Sequence, residues 1–294
     1  MTPIVKVSAG AMPVSGQTMV TGVVGSPVRH SLSPLIHNAW LAEAQLDAVY
    51  VALEPKPETF TGFANGLRGG IIRGLNVTAP FKEMALSLAD DRSPRAVRAG
   101  AANLLVFEPD GSVKADNTDG EGLLHAFRAT IDDFDPAAGP VLVLGAGGAA
   151  RGAVSAFLDA GASQIRILNR TFHRATGLAG LFGDSAQAFH PREVDAALAG
   201  VSIVINATPL GLGEVSLQTL PFERLDAKCV VMDMVYRPLR TSFLEQASQR
   251  GLRTVDGLWM LIGQAIPSFQ TLFGRPPPDI DIRALALASL ETAH

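Results

Sequence analysis

The chain has 294 residues, 47% of them hydrophobic and 18% charged, with 24 basic against 28 acidic side chains. That length implies about two domains, each with its own core. The apolar fraction excludes a disordered chain, and the mild acidity without any Lys/Arg block excludes nucleic acid or an anionic membrane as the main partner. The single cysteine, Cys229, excludes an internal disulfide framework and a thiolate metal cluster, and fits a reducing cytoplasm.

Residues 1–18 lack a basic start followed by an apolar block and read as a loose leader rather than a signal peptide. From there, strand-like runs are predicted at Met19–Gly25, Val49–Leu53, Ile71–Val77, Asn103–Phe107, Val141–Leu144, Gln164–Leu168, Val201–Ile205 and Cys229–Asp233. Ala/Leu-rich stretches between them, such as Pro34–Gln45, Thr118–Ala129, Ala149–Ala160 and Arg240–Gln249, are long enough for helices. Nearly continuous apolar strands alternating with helices predict an α/β protein with mainly parallel sheets. Pro109-Asp110-Gly111 predicts a hairpin over Asn103–Ala115, and the polar, proline-bearing stretch from Asp132 to Pro140 predicts a domain boundary. The last 40 residues or so, from Gly257, are helical in pattern and fit either domain. The longest apolar stretch, Val141–Ala150, is far short of the roughly 18–20 residues of a membrane span.

The strongest local motif is Gly145-Ala146-Gly147-Gly148-Ala149-Ala150, between a predicted buried strand and a helix. Gly145 permits a tight turn, Gly147 and Gly148 let backbone N–H groups approach a pyrophosphate, and the helix start contributes positive field. The next strand runs into Asn169-Arg170-Thr171, with Arg174 a turn later. An NAD site usually places a carboxylate there, whereas two guanidinium groups and a hydroxyl suit the 2′-phosphate of NADP.

The remaining candidates lie in six short constellations. Ser31-Leu32-Ser33-Pro34 opens a helix, with Ser33 expected as the N-cap and Pro34 at the first helical position. In Asn76-Val77-Thr78-Ala79-Pro80-Phe81-Lys82, Pro80 is expected to start a helix, which puts Lys82 in its first turn against the dipole and marks it as a candidate acid/base. Asn103 leads a strand, and Thr118 with Glu121 forms a capping-box pattern around Asp119. Met234-Val235-Tyr236-Arg237-Pro238 follows a strand, and Gly257 to Gln264 begins the last helical stretch. Taken singly, each has an ordinary structural use. Cys229 is expected to be a core residue, and the six histidines show no ligand spacing, so no metal is expected.

Together, in order and spacing, these segments resemble the shikimate dehydrogenases from residue 19 to about 274. The carrying motifs are Gly25 to Pro34, Asn76 to Lys82, Asn117-Thr118-Asp119-Gly120, Gly145 to Ala149, Asn169-Arg170-Thr171, Asn206-Ala207-Thr208 and Val235-Tyr236. The resemblance implies a substrate domain of residues 1–116 plus 256–294, a Rossmann-type NADP domain of residues 117–255, and an active site in the cleft between them. It implies that Ser31 and Ser33 hold the carboxylate of shikimate, that Asn103 and Asp119 hold ring hydroxyls, and that Thr78, Tyr236 and Gln264 complete the pocket. Lys82 would be the acid/base, with Asp119 as its partner. Gly145, Ala146, Gly147, Gly148 and Ala149 would cradle the pyrophosphate, Asn169, Arg170, Thr171 and Arg174 the 2′-phosphate side, and Thr208, Met234 and Gly257 the rest of the cofactor.

The implied activity is the reversible reduction of 3-dehydroshikimate by NADPH in a cytoplasmic monomer or homodimer. A catabolic quinate/shikimate dehydrogenase using NAD(P) and a non-catalytic regulator that binds NADP or shikimate are the alternatives. Three departures from the family pattern stand out. Leu104 follows Asn103 where a threonine is usual, which takes a hydroxyl from the pocket region. Thr208-Pro209-Leu210-Gly211 replaces a commoner Thr-Ser-x-Gly, and Phe273 stands for a tryptophan.

Overall fold

The computed structural model describes residues 14–208 and 220–292. The departure at Pro209–Gly211 and most of the expected leader lie outside the described residues. Among the described residues two compact units emerge, one of residues 14–93, 102–116 and 265–292, the other of residues 94–101, 117–208 and 220–264. Residues 94–101 and 256–264 thus group with the second unit.

The first unit is built on a six-stranded sheet. Its elements are β1 (Met19–Val24), α1 (Ser33–Glu43), β2 (Ala48–Leu53), α2 (Phe60–Asn65), β3 (Ile72–Val77), α3 (Lys82–Leu88), β4 (Asp91–Arg92), β5 (Leu104–Phe107) and β6 (Val113–Asp116). Strand order is β2-β1-β3-β5-β6-β4. β1 pairs in parallel with β2 and β3, while the predicted hairpin β5–β6 is antiparallel and joins β3 antiparallel. β3 and β5 form a wall of buried residues, with Leu75, Leu104 and Leu105 fully buried and Phe60 stacked on Phe81 at 4.3 Å. Leu104 is itself fully buried, so at this position the usual threonine gives way to an apolar packing residue. Phe273 also packs, its ring 4.6 Å from that of Phe269.

The second unit contains α4 (Pro94–Ala99), α5 (Asp119–Arg128), β7 (Val141–Leu144), α6 (Gly148–Asp159), β8 (Ile165–Leu168), α7 (Phe172–Gly180), β9 (Ala186–Phe189), α8 (Val194–Leu198), β10 (Ile203–Asn206), β11 (Val230–Asp233), α9 (Ser242–Gln249) and β12 (Arg253–Val255). Its strands are all parallel, in the order β12-β11-β10-β7-β8-β9. Renumbered within the sheet, this is the 3-2-1-4-5-6 order of dinucleotide-binding folds. β7 and β10 are buried along their whole length, which is why their sequences are continuous apolar runs rather than alternating ones. Helix α10 (Gly257–Phe273) gives its residues up to Gln264 to this unit and those from Ala265 to the first, and α11 (Ile282–Glu291) also belongs to the first.

Candidate functional site

In each sheet the chain leaves one central strand in opposite directions, and ligands of open α/β sheets bind beyond the carboxyl ends of strands at such a switch point. In the first unit the switch lies between β1 and β3. Four backbone hydrogen bonds gather the loops there. Thr78 N–H donates to Val24 C=O (2.9 Å), Ser26 N–H to Ala79 C=O (3.1 Å), Val77 N–H to Asn103 C=O (2.8 Å) and Ala102 N–H to Lys82 C=O (2.9 Å). A methyl group on Gly25 would overlap the Thr78 side chain, so glycine is what lets the two loops close. Ser31, Ser33, Thr78, Lys82 and Asn103 are therefore brought to one end of this sheet.

Two expectations about helix starts are corrected. Ser33 is the first residue of α1 rather than its N-cap, and it is Ser31 Oγ that accepts the Ser33 N–H at 3.2 Å, leaving Pro34 at the second position. Pro80 sits in a turn after a cis peptide bond, and α3 begins two residues later with Lys82 itself. The two serines thus act as a pair, and Lys82 stands at the positive end of its helix.

Beneath them lies a buried polar chain that spacing alone did not reveal. Tyr50 Oη donates to Asn76 Oδ1 at 2.9 Å, and Asn76 Nδ2 donates to Asn103 C=O at 3.1 Å and Ser268 Oγ at 2.8 Å. Each partner satisfies a group that would otherwise be costly to bury, so the chain fixes the backbone at Asn103. The only sequence signal was a polar residue, Asn76, inside an apolar strand.

In the second unit the switch lies between β7 and β10. Gly145 has φ +114°, and a methyl there would press on Thr208 Cγ2 (3.1 Å) and Ala207 C=O (3.2 Å). Gly147 and Gly148 differ, because a side chain on either would meet nothing within 4 Å. Packing does not demand these glycines, and they leave an open cradle at the N-terminus of α6 whose residues fit a pyrophosphate. At the end of β8, Asn169 Nδ2 donates to Thr171 C=O at 2.9 Å, while Arg170 and Arg174 are exposed. No carboxylate stands in that turn.

Asp119, Tyr236 and Gln264 also lie in this unit, all half-buried. Asp119 opens α5, but the Thr118–Glu121 capping pattern is not realised there. The Thr118 side chain makes no cap, its hydroxyl donating instead to Gln264 C=O (3.0 Å), while Asn117 Oδ1 receives the Asp119 N–H (3.0 Å). Helices α5 and α10 cross at contact distance. A methyl on Gly122 would lie 2.6 Å from Met260 C=O, and one on Gly263 would lie 2.6 Å from His125 Cβ.

A second polar network, centred on Asp233, was not anticipated. This fully buried carboxylate accepts from Thr241 Oγ1 (2.7 Å), Val235 N–H (3.1 Å) and Asn206 Nδ2 (3.2 Å). Burial pushes its carboxyl up, against the pull of those three donors. Asn206 Oδ1 in turn holds Thr208 through its N–H (3.1 Å) and hydroxyl (2.6 Å). Thr208, Met234 and Tyr236 thus leave the sheet from strand ends tied together by one carboxylate. An acid closing the apolar run Cys229–Asp233 was the available sequence signal.

Burial pushes the Cys229 thiol up to about 12, as suits a core residue rather than a nucleophile. Among the described residues no group of three His, Cys, Asp or Glu side chains is placed to hold a metal ion. Nor is any described helix long and apolar enough to cross a membrane.

Residues 23–105 match the family of shikimate dehydrogenase substrate-binding domains, and residues 131–227 match the shikimate / quinate 5-dehydrogenase family. A shikimate dehydrogenase (NADP(+)) of Caulobacter vibrioides is 54% identical, over 94% of this chain and 98% of its own. Among solved structures, shikimate 5-dehydrogenase of Thermus thermophilus in complex with NADP(H) and shikimate superimposes with a TM-score of 0.81 at 35% identity, covering 94% of this chain and 100% of its own. A quinate dehydrogenase of Corynebacterium glutamicum in complex with NAD gives 0.80 at 25% identity, over 92% and 99%.

Proposed function

The chain belongs to the shikimate dehydrogenase family, and from that membership we propose that it catalyses the reversible NADPH-dependent reduction of 3-dehydroshikimate to shikimate, a step toward chorismate and the aromatic amino acids. The reading is carried by the likeness to an NADP(+) enzyme across 94% of the chain. The open glycine cradle and the arginines after β8 support it independently.

When bound, the nicotinamide supplies the hydride that reaches the carbonyl carbon. Everything else falls to the chain's own residues. The hydroxyls of Ser31 and Ser33 hold the substrate carboxylate at the positive end of α1. Asn103 and Asp119 hold ring hydroxyls, and Thr78, Tyr236 and Gln264 close the pocket. Lys82, with Asp119 as its partner, delivers the proton to the carbonyl oxygen as negative charge develops there, a contribution of about 10²–10⁴ in rate.

Gly145 to Ala149 receive the pyrophosphate, and Asn169, Arg170, Thr171 and Arg174 receive the 2′-phosphate. Thr208, Met234 and Gly257 line the remainder of the cofactor. Orienting two reactants supplies much of the remaining acceleration, since an oriented pair escapes the entropy of encounter. The substrate domain is taken as residues 1–116 plus 256–294 and the NADP domain as 117–255. The enzyme acts in the cytoplasm as a monomer or homodimer.

An initial-rate panel on the purified protein, pairing shikimate or quinate with NADP or NAD, tests the reading. Turnover dominated by shikimate with NADP is expected. Comparable quinate turnover or a preference for NAD would make the enzyme catabolic, and no turnover with any pair would leave a binding protein.

A further inference from the structure

Arg151 stands in the first turn of α6, directly after the glycine cradle. A cation there opposes the helix dipole, and its obvious use would be a cofactor phosphate. The structure gives its guanidinium other work. Nε donates to the Arg98 carbonyl at 2.9 Å and Nη2 to the Val97 carbonyl at 3.2 Å. These belong to the last turn of α4, where a cation is favoured. α4 ends in a Schellman pattern, with Gly100 N–H on Val97 C=O (3.1 Å) and Ala101 N–H on Ala96 C=O (3.2 Å). Gly100 has φ +65°, and any side chain on it would overlap the Arg151 guanidinium. The backbone sign favours glycine, and a side chain there would have to displace the guanidinium end of Arg151.

The path continues without a gap. The Ala101 carbonyl accepts from Asn117 Nδ2 at 2.8 Å, and Asn117 Oδ1 accepts the Asp119 N–H at 3.0 Å. Asn117 is 6% exposed, so its amide is committed at both ends. Two ion pairs flank the path, Arg95 with Glu121 and Arg98 with Asp159 (2.8 Å), but their side chains are a third to a half exposed and add little.

We propose that Arg151 is a positioning residue for Asp119. It pins the end of α4 to the cofactor helix, so that the Ala101 carbonyl, through Asn117, fixes the first turn of α5. The proposal rests on the reading of Asp119 given above. Lysine replaces Arg151 only in part, because it offers a point charge where the fork reaches two carbonyls.

The test uses full-length Arg151→Ala, Arg151→Lys, Asn117→Ser and Asp119→Asn proteins, with Arg151→Ala also made in the Asp119→Asn background. The readouts are kcat, KM for shikimate and calorimetric NADP affinity. Arg151→Ala should lower kcat/KM for shikimate by about tenfold or more and leave NADP affinity within about twofold. Arg151→Lys should recover only part of the loss, and Asn117→Ser should reproduce it. With Asp119→Asn already present, Arg151→Ala should add nothing.

Weakened NADP binding with unchanged saturated kcat would make Arg151 a phosphate ligand and overturn the proposal. So would equal losses in both backgrounds, or normal shikimate kinetics in Asn117→Ser, a variant that also decides the matter if Arg151→Ala does not fold. An active Asp119→Asn would instead show that the reading of Asp119 itself is wrong.

Discussion

The two switch points solve one geometric problem with different chemistry. In the proposed site beyond β1 and β3 the functional atoms are side chains: two serine hydroxyls, a threonine, a lysine and an amide, from stretches spread between residues 31 and 103 and held by backbone hydrogen bonds. Beyond β7 and β10 much of the work falls to backbone, on glycines that leave room for a ligand. Each place rests on a buried polar anchor, the amide-and-hydroxyl chain Tyr50–Asn76–Ser268 in one and the carboxyl centre Asp233 in the other. A site made of backbone can sit in one contiguous motif. A site made of side chains must be assembled, and its parts look ordinary until they meet.

The contrast can be broken most directly at Lys82. Lys82→Ala should lower kcat by about 10²–10⁴ while NADP affinity stays within a few-fold, since the residue belongs to the side-chain site alone. Steady-state rates with a calorimetric titration of NADP check it, and an unchanged kcat would remove Lys82 from the chemistry.

The anchors come next. Asp233→Ala strands Thr241 Oγ1, Asn206 Nδ2 and the Val235 N–H in a buried place, and should cost about 3 kcal/mol in urea unfolding. Asn76→Ala, which breaks a neutral network, should cost about 2 kcal/mol. If the anchor at Asn76 proves the more expensive, the carboxyl is not what distinguishes them.

Arg170→Ala should reduce the preference for NADP over NAD by about 10–10², through loss of a charge-assisted bond to phosphate, and leave shikimate KM alone. Specificity constants with each cofactor decide this.

A last effect, visible only on acidification, concerns His37 beneath the first site. Its ring stacks on Tyr50 at 4.1 Å, neither ring nitrogen has a hydrogen-bond partner among the described residues, and burial lowers it from 6.5 to about 3. The unfolded chain binds a proton at this histidine below about pH 6.5 while the folded chain does not. Stability from this group is therefore complete above that pH and is lost on acidification toward pH 3, at about 1.4 kcal/mol per unit. Between pH 6.5 and 5 that amounts to about 2 kcal/mol, and His37→Phe should flatten the slope seen in urea midpoints.

What could be read from the sequence follows the same division. The run Val141–Leu144 into Gly145 carries strand, turn and helix start within a few residues, and the structure repeats it. The hairpin around Asp110 and Gly111 was equally local. Strands β9 and β12 escaped notice because they are short, lie at the sheet edges, and are interrupted by polar or small residues. Helix starts failed where a distant partner outbid a near one. Thr118 and Glu121 have capping spacing, yet the Thr118 hydroxyl goes to a carbonyl of α10, and the cap passes to Asn117. Asp233 looked like the end of a strand because its partners, Asn206 and Thr241, come from other segments.

The crossing of α5 and α10 works as a spacer of fixed length. Gly122 meets the Met260 carbonyl and Gly263 meets His125, with no room for a methyl group at either point. Most helix pairs are separated by interdigitated side chains, so their distance drifts as core residues are exchanged over generations. Here the Met260 carbonyl and the His125 side chain rest directly on glycine, and the separation between the segments bearing Asp119 and Gln264 depends on few exchangeable side chains. Sequence variation can therefore rework the surrounding apolar layers freely, while positions 122 and 263 admit almost no replacement.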